Sequence, residues 1–522
     1  MVGIEHNKDI PRKYVRTIGF LIIVCGFLIR IHYASKYYLN PDELLHYSVA
    51  LQPWHGLVAF YLNATEILHP PLLIALLQPV LLLGHSEVLL RLVPAICGAL
   101  FPWFAMLWVQ RIAGSVAALC AQLLLTFSPA QVNLSAEVRA YTLAFLFFSL
   151  CLLFLEKSLD DGNSLSMIWS GLFLYLAILS EYSVAWFVAA AGIYAIWRLR
   201  KRPASGRLLL IWALGQLVAL GLYLFLYKTH IARFSHDQLA ENYTSWLQIG
   251  FPQPHQNILQ FAAQGTFGQF RNMFQLRMLA WAGAAAFLVG LFWLWRRKSP
   301  CYTFLMSLPF CFACLGAIFH LFPYGPSRHT AILEIAIAAT VGIAIAALAR
   351  GRWLPVAVAA PPCLMIWIFL WSHSYGYQDP YEILRPRHEL RDIREAAAFL
   401  QNNVSSDAML LTDTDTDRML NYYCGCADYS HLGSYQPYSI HQCGNLRFVD
   451  DPSNEFSGTP ELQQALAQVH AKFGSAQKIW IAAGGFDAGT PVANSASEAR
   501  PFGKAIAIFQ ESDLTPQAPL KP

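Results

Sequence analysis

Apolar runs long enough to cross about 30 Å of hydrocarbon recur along this chain from Thr17 to Trp371. A bilayer core offers no water to satisfy backbone N–H and C=O groups, so such runs must be helices. Only 13% of the 522 residues are charged and 56% are hydrophobic, too little polar surface to wrap a soluble core of this size. After His373 the sequence becomes polar and mixed. This predicts a membrane part, 1–372, followed by a soluble domain, 373–522.

Runs of suitable length lie at 17–34, 92–110, 116–133, 140–156, 166–180, 184–198, 208–227, 278–295, 301–321, 330–349 and 354–372, which makes eleven expected crossings. Lys8, Arg12, Lys13 and Arg16 precede the first run, which contains Arg30 and no small-residue cleavage pattern, so it reads as a retained signal anchor. Further basic clusters (Arg111; Arg198 to Arg207; Arg296 to Lys298; Arg350 and Arg352) fit a cytoplasmic side once one or two boundaries are adjusted. With a cytoplasmic start, the odd count places the tail outside. The loops at 35–91, 134–139, 228–277 and 322–329 then also lie on the extracytoplasmic face of an inner membrane. The stretch from His69 to Gly84 is apolar but short and holds Pro70, Pro71 and Pro79, so it is expected to lie in the interface or on the bundle. The 228–277 loop mixes Tyr243, Trp246, Phe251, His255, Phe261, Phe267 and Phe270 with polar residues, which suits either a flap over lipid or sugar, or an ordinary amphipathic cap.

In the tail, Arg391 to Leu400 reads as a helix, and Ala408 to Leu411, Lys478 to Ala483 and Ala505 to Phe509 read as strands: a small α/β domain with a frayed end from Glu511. Eight of the eleven cysteines lie in apolar runs; of Cys424, Cys426 and Cys443 in the tail, two can pair in an oxidising compartment, and the odd number leaves the pairing open. Asp413-Thr414-Asp415-Thr416-Asp417 opens like a calcium loop, but Arg418 and Cys424 stand where such a loop needs Gly and Glu. It reads as a solvated loop after a strand.

Four elements in the outer loops carry reactive side chains. Asn40-Pro41-Asp42-Glu43 is both a good helix start, with Asn40 as cap and Glu43 at the third position, and an acidic pair at the membrane surface. His69-Pro70-Pro71-Leu72 is a helix start that needs no functional explanation. Glu137-Val138-Arg139-Ala140-Tyr141 contains a carboxylate and a guanidinium that can pair with each other or with a ligand. In Ser327-Arg328-His329 the guanidinium can hold a phosphate in a fork, or reach lipid head groups.

Taken together, Arg30 followed by Asp42-Glu43, His69-Pro70-Pro71-Leu72, Arg91-Leu92-Val93-Pro94, Ser135 to Tyr141 and Ser327-Arg328-His329 resemble the GT-C superfamily of membrane glycosyltransferases. The likeness is strongest to the bacterial relatives of protein O-mannosyltransferases and of lipid A aminoarabinose transferases. It covers residues from about 15 to 350. The resemblance implies a GT-C-like bundle of about eleven transmembrane helices and an inverting transfer of a sugar from a polyprenyl-phosphate carrier. The acceptor that the resemblance implies is a hydroxyl of a glycan, lipid or protein.

By the same resemblance Asp42, with Glu43 beside it, is the catalytic carboxylate. His69, Glu137, Arg139, Tyr141, Arg328 and His329 bind substrate, with Arg328 on the carrier phosphate. Neighbouring helical side chains diverge by about 100°, so Glu43 is also a candidate for the capping role. Some members use a divalent metal and others do not; Asp42 and Glu137 are the ligands expected if one is present, and no other cofactor is implied. Glycine-rich phosphate loops, nucleotide-binding glycine patterns and zinc-ligand spacings are absent, and nothing points to nucleic acid. The rival readings are a transporter or flippase for a lipid-linked glycan, or a non-catalytic assembly subunit. Against the transporter, Arg30, Glu181 and Glu334 all lie towards the ends of apolar runs.

Overall fold

A computed structural model of the chain describes residues 12–54, 69–201, 206–233, 247–348, 363, 389–426, 437–453, 456, 458–475, 477–484, 496–503 and 506–514. The chain divides into two compact units, 1–33 with 53–384 and 34–52 with 385–522.

The first unit is helical. Its long elements are α1 (Arg12–Lys36), whose last turn passes into the second unit, α5 (Leu92–Ala113), α6 (Ser115–Phe127), α7 (Pro129–Ser135), α8 (Tyr141–Asp161), α9 (Ser164–Ile178), α10 (Val184–Arg200), α11 (Gly206–Thr229), α12 (Ile258–Phe274), α13 (Arg277–Arg297), α14 (Pro300–Ile318) and α15 (Glu334–Leu348). Two short helices, α3 (Leu72–Leu81) and α4 (Glu87–Leu90), precede α5. Among the described residues seven helices are long and apolar enough to cross a membrane, and α6 with α7, bent by 59°, makes an eighth. Of the eleven expected crossings, α9 and α10 have 15 and 17 residues, and the run at 354–372 lies outside the described residues except Cys363.

The bend has a local cause. Pro129 forces the residue before it out of the helical region, and Ser128 sits at ψ 123. Elsewhere small residues let helices touch: a Cβ on Gly342 of α15 would lie 2.5 Å from the Ala117 carbonyl of α6. α11 turns Leu210, Leu214, Leu217 and Phe225 outward, as lipid as solvent requires. Charges inside the bundle are hydrogen-bonded. Arg30 Nη1 donates to the carbonyls of Gly26 and Thr126 (3.0 and 3.1 Å), and Gln131 Nε2 donates to Glu334 (2.8 Å).

The ends of α5, α8, α10 and α14 meet in one ionic network. Arg198 donates to Glu156 (2.9 Å) and Asp160 (2.7 Å), Tyr302 donates to Glu156 (2.7 Å), and Arg111 pairs with Asp161 (2.9 Å). The α3 segment is a continuous ten-residue helix with Pro79 inside it, too short to be a span. Within the aromatic-rich loop at 228–277, α12 buries Phe261 and Phe270. Tyr243 and Trp246 lie outside the described residues.

The second unit contains a six-stranded sheet in the order β2-β3-β1-β4-β6-β5, from β1 (Met409–Asp413), β2 (Ile440–Cys443), β3 (Leu446–Asp451), β4 (Ile479–Ala483), β5 (Arg500–Phe502) and β6 (Ile506–Gln510). β3, β1 and β4 are parallel and the outer strands antiparallel. On one face α18 (Thr459–Phe473) buries Leu462 and Val469 against Leu411, Val449 and Ile481. On the other, Phe399 of α16 (Leu390–Asn403) packs edge-on to Trp480.

Two expectations are corrected here. β2, β3 and β5 are additional strands. The stretch from Asp413 to Asp417 is not a solvated loop: it ends β1 and opens α17 (Thr414–Tyr423), with all five residues buried. Asp413 is the N-cap, accepting from Thr416 N–H (2.7 Å) and Phe456 N–H (3.2 Å), so its polarity serves backbone donors rather than water. Of the three tail cysteines, Cys426 and Cys443 form the disulfide. Burial pushes the Cys424 thiol up to about 12, which keeps it protonated. The segment 34–52 belongs to this unit and carries α2 (Pro41–Ala50).

Candidate active site

In the first unit a polar cluster gathers where α7 gives way to α8. The loop Ala136–Ala140 leaves the bent helix and carries Glu137 and Arg139, whose backbone closes on itself through Arg139 N–H to Glu137 C=O (2.8 Å). Arg139, 2% exposed, donates from Nη1 to His69 Nε2 (3.0 Å). A guanidinium can only donate, so His69 presents the Nε2 lone pair to it and carries its proton on Nδ1. That nitrogen faces Glu181 Oε2 at 3.7 Å. Leu72 N–H to Leu179 C=O (3.1 Å) ties the His69 segment to the end of α9, which brings His69 and Glu181 together.

Tyr141, the first residue of α8, is fully buried. It lies within electrostatic range of Arg328, Glu181, Arg139 and Glu137, and its hydroxyl is 3.5 Å from His329 Nδ1. His329 also meets the Phe322 ring edge-on at 5.7 Å. The loop holding Arg328 is fixed by α12. Gln269 Nε2 donates to the Gly325 carbonyl and to Thr330 Oγ1, Thr330 Oγ1 donates to Gly325 (2.6 Å), and Tyr324 OH and Thr266 Oγ1 share a hydrogen bond (2.7 Å). Gly265 and Gly268 lie where a Cβ would strike Tyr324 and Pro326.

The structure therefore brings His69, Glu137, Arg139, Tyr141, Arg328 and His329 into one neighbourhood of the first unit. Sequence reasoning missed Glu181 as a member, and also Tyr182, whose hydroxyl meets His230 Nδ1 at 2.8 Å. The available signal was the polar step Ser180-Glu181-Tyr182-Ser183 between two apolar spans. The Glu156–Arg198 network lies near the far end of the same helix α8, roughly 23 Å along its axis at 1.5 Å per residue.

Asp42 and Glu43 belong to the second unit. Asn40 Oδ1 accepts from Glu43 N–H (2.9 Å) while Glu43 Oε2 accepts from Asn40 N–H (3.0 Å), a complete capping box that engages the buried Glu43 side chain. Asp42, at the second helical position, is half-buried.

The donor atoms of Asp417, His441 and Asp450, within 4.8 Å of one another, form a metal-type group among the described residues. Its geometry is that of a charge bridge. His441 Nε2 faces Asp417 (3.3 Å) and Nδ1 faces Asp450 (3.2 Å), so both ring nitrogens are committed to carboxylates and no lone pair is offered to an ion. Burial opposes the charge on His441, but the two carboxylates outweigh it and push its pKa up to about 10. Burial also pushes the Asp450 carboxyl up to about 6, against the pull of His441.

A helical bundle of apolar spans, a polar cluster on the loops at one end and an α/β domain after the last span define a multi-pass membrane protein with the fold of the GT-C superfamily of membrane glycosyltransferases. The family model described as dolichyl-phosphate-mannose-protein mannosyltransferase matches residues 68–227. The crystal structure of ArnT from Cupriavidus metallidurans bound to undecaprenyl phosphate is similar over 95% of this chain and 99% of that one, with a TM-score of 0.56 and 14% identity. Its apo form covers the same shares at a TM-score of 0.54 and 14% identity. No protein among those with curated descriptions matches the sequence.

Proposed function

We propose that the protein is an inverting glycosyltransferase that moves a sugar from a polyprenyl-phosphate carrier to an acceptor hydroxyl at the extracytoplasmic face of the inner membrane. The observation that carries this reading is the set of Arg328, Arg139, Glu137 and Glu181 within electrostatic range of Tyr141. Phosphate and sugar recognition need such fixed guanidinium donors and carboxylate acceptors on outer loops. The ArnT structure, which shares the fold, holds undecaprenyl phosphate, a lipid of the carrier class proposed.

In this mechanism the Asp42 carboxylate takes the proton of the acceptor hydroxyl. The acceptor oxygen attacks the anomeric carbon from the face opposite the phosphate, and the bond from that carbon to the phosphate oxygen breaks. The electron pair leaves on the carrier phosphate, whose added charge Arg328 stabilises in a forked contact. A helix start favours an ionised carboxylate, which suits a base. Glu43 shapes the turn that presents Asp42. Glu137, Tyr141 and His329 bind sugar or acceptor hydroxyls, and Arg139 with His69 orders that surface. His69 does not suit a divalent ion, because turning the Nδ1 lone pair towards it would set an Nε2 proton against the Arg139 donor.

The test is transfer of radiolabelled sugar from a panel of polyprenyl-phosphate sugars to membrane lipid, glycan and protein fractions. Membranes containing the wild type, Asp42→Asn or Arg328→Ala are compared. Loss of the base should cost about 10²–10⁴ in rate, and loss of the guanidinium about 10²–10³. Equal transfer by all three folded proteins, or none above background, overturns the proposal and favours a transporter or assembly subunit.

A further inference from the structure

We infer that the C-terminal α/β domain is a positioning element for the acidic helix α2, acting through Tyr422 and Tyr423 in the last turn of α17. The inference rests on the reading of Asp42 as the base. It assigns that domain a part in the reaction rather than a role as an appended surface.

The first observation is that 34–52, although it follows the first membrane span directly, packs as part of the C-terminal unit. Leu39, immediately before the N-cap, is fully buried, and its backbone N–H donates to Tyr423 Oη at 2.8 Å. That donor is a buried backbone N–H, and the acceptor on α17 satisfies it. Five residues beyond Asp42, the buried Tyr47 ring meets Tyr422 at 90° and 5.4 Å, and Tyr422 meets Tyr423 at 81° and 4.8 Å. A bridge between Tyr37 and Glu389 fixes the strand-like approach to α2. Asp42 lies between the Leu39 and Tyr47 anchors, one position into the helix after Pro41. The position of its carboxylate therefore follows the axis of α2.

The second observation is how firmly α17 is held. Its start is capped by Asp413, and Thr416 Oγ1 accepts from Gly484 N–H at the end of β4 (2.8 Å). Its middle is bridged through Asp417 and Asn421 to His441 of β2, with Asn421 Oδ1 3.1 Å from His441 Nε2. Three residues after Tyr423, Cys426 is tied by the disulfide to Cys443 of β2. The tyrosines thus project from a helix fixed along its length, the rigid support that a group needing placement within about 0.5 Å requires. A displacement of about 1 Å at a reacting group can cost on the order of 100-fold in rate.

Tyr423→Phe removes the acceptor and keeps the ring. In full-length protein in membranes, kcat should fall about tenfold or more while KM for the polyprenyl-phosphate sugar stays within about twofold, because the lost interaction bears on the base and not on the donor. In the Asp42→Asn background the same change should add no further loss, since its effect passes through Asp42. Wild-type transfer by Tyr423→Phe, or a full additional loss in the double variant, overturns the inference. An inactive Asp42→Asn alongside it leaves the functional reading standing. Wild type without transfer sinks the functional reading instead; the anchoring is then decided by hydrogen exchange at the amides of 39–44, faster in Tyr423→Phe if the hydroxyl holds α2 and unchanged if it does not. If Tyr423→Phe fails to accumulate, Tyr47→Leu applies the same test from the other side of the contact.

Discussion

The Arg139 guanidinium lies 3.0 Å from His69 Nε2 and the other imidazole nitrogen lies 3.7 Å from Glu181. His69, 70 residues before Arg139, here joins a buried guanidinium to a buried carboxylate, and so the loop after α7 is tied to the end of α9. His69→Gln keeps an oxygen that can accept from Arg139, whereas His69→Ala leaves a buried donor without that acceptor, at a cost of about 1–3 kcal/mol. The expected order of kcat/KM in the transfer assay is wild type, His69→Gln, His69→Ala. An alanine variant as active as the glutamine variant would remove the bridge from the account.

The two acidic residues at the start of α2 should separate cleanly. Glu43→Gln retains an acceptor for the Asn40 amide and with it the capping box, so transfer should stay within a few-fold of wild type. Glu43→Ala removes half the box and should loosen α2 by about 1 kcal/mol, read as faster hydrogen exchange over 41–46. Asp42→Asn keeps the shape and loses the proton acceptor, so activity should collapse while exchange is unchanged. A dead Glu43→Gln would instead assign catalysis to both carboxylates.

At the other end of α8, Glu156 is 1% exposed and receives Arg198, Tyr302 and Tyr194 together. Removing one member of a buried ionic set costs about 3–5 kcal/mol, because its partners stay desolvated. Glu156→Ala should therefore lower the thermal unfolding midpoint in detergent well below that of Arg111→Ala, whose Asp161 partner is about half exposed. Equal midpoints would show that the network is not a clamp.

The Asp417–His441–Asp450 bridge makes stability depend on pH with a definite sign. His441 is held up at about 10 in the folded protein, above its value of about 6.5 in an unfolded chain. Its contribution is complete below about 6.5, declines as pH rises because unfolding then releases a proton, and is gone once pH passes the folded value near 10. The gap in unfolding midpoint between wild type and His441→Gln should shrink steadily from pH 6.5 to 10. A gap independent of pH would mean that His441 is neutral in the fold.

Much of this architecture is legible in local sequence because the bilayer imposes it residue by residue. A run without water must be helical, and the ten described apolar runs are helices. The box at Asn40 and Glu43 is likewise local chemistry, complete within four residues. Where the reading failed, the deciding partner was distant in sequence. Asp413 to Asp417 has the composition of a solvated loop and is buried because β3 and β4 flank β1, while Thr416 N–H and Phe456 N–H supply the capping donors. β2 is a four-residue strand that depends on its pairing with β3. Glu181 lies in the short polar step Ser180 to Ser183, and nothing near it in sequence points to His69, which the fold brings to it.

Sequence by itself determined that the chain must cross a membrane many times, where helices start and break, and which side chains carry reactive chemistry. Periodicity, proline and capping act within a few residues, so those properties could be read directly. Tertiary structure alone decided that Tyr141 lies within electrostatic range of Arg328, Arg139, Glu137 and Glu181, and that the acidic helix after the first span is held by two tyrosines about 380 residues further along. Such contacts depend on packing and electrostatics between elements whose separation along the chain leaves no local trace.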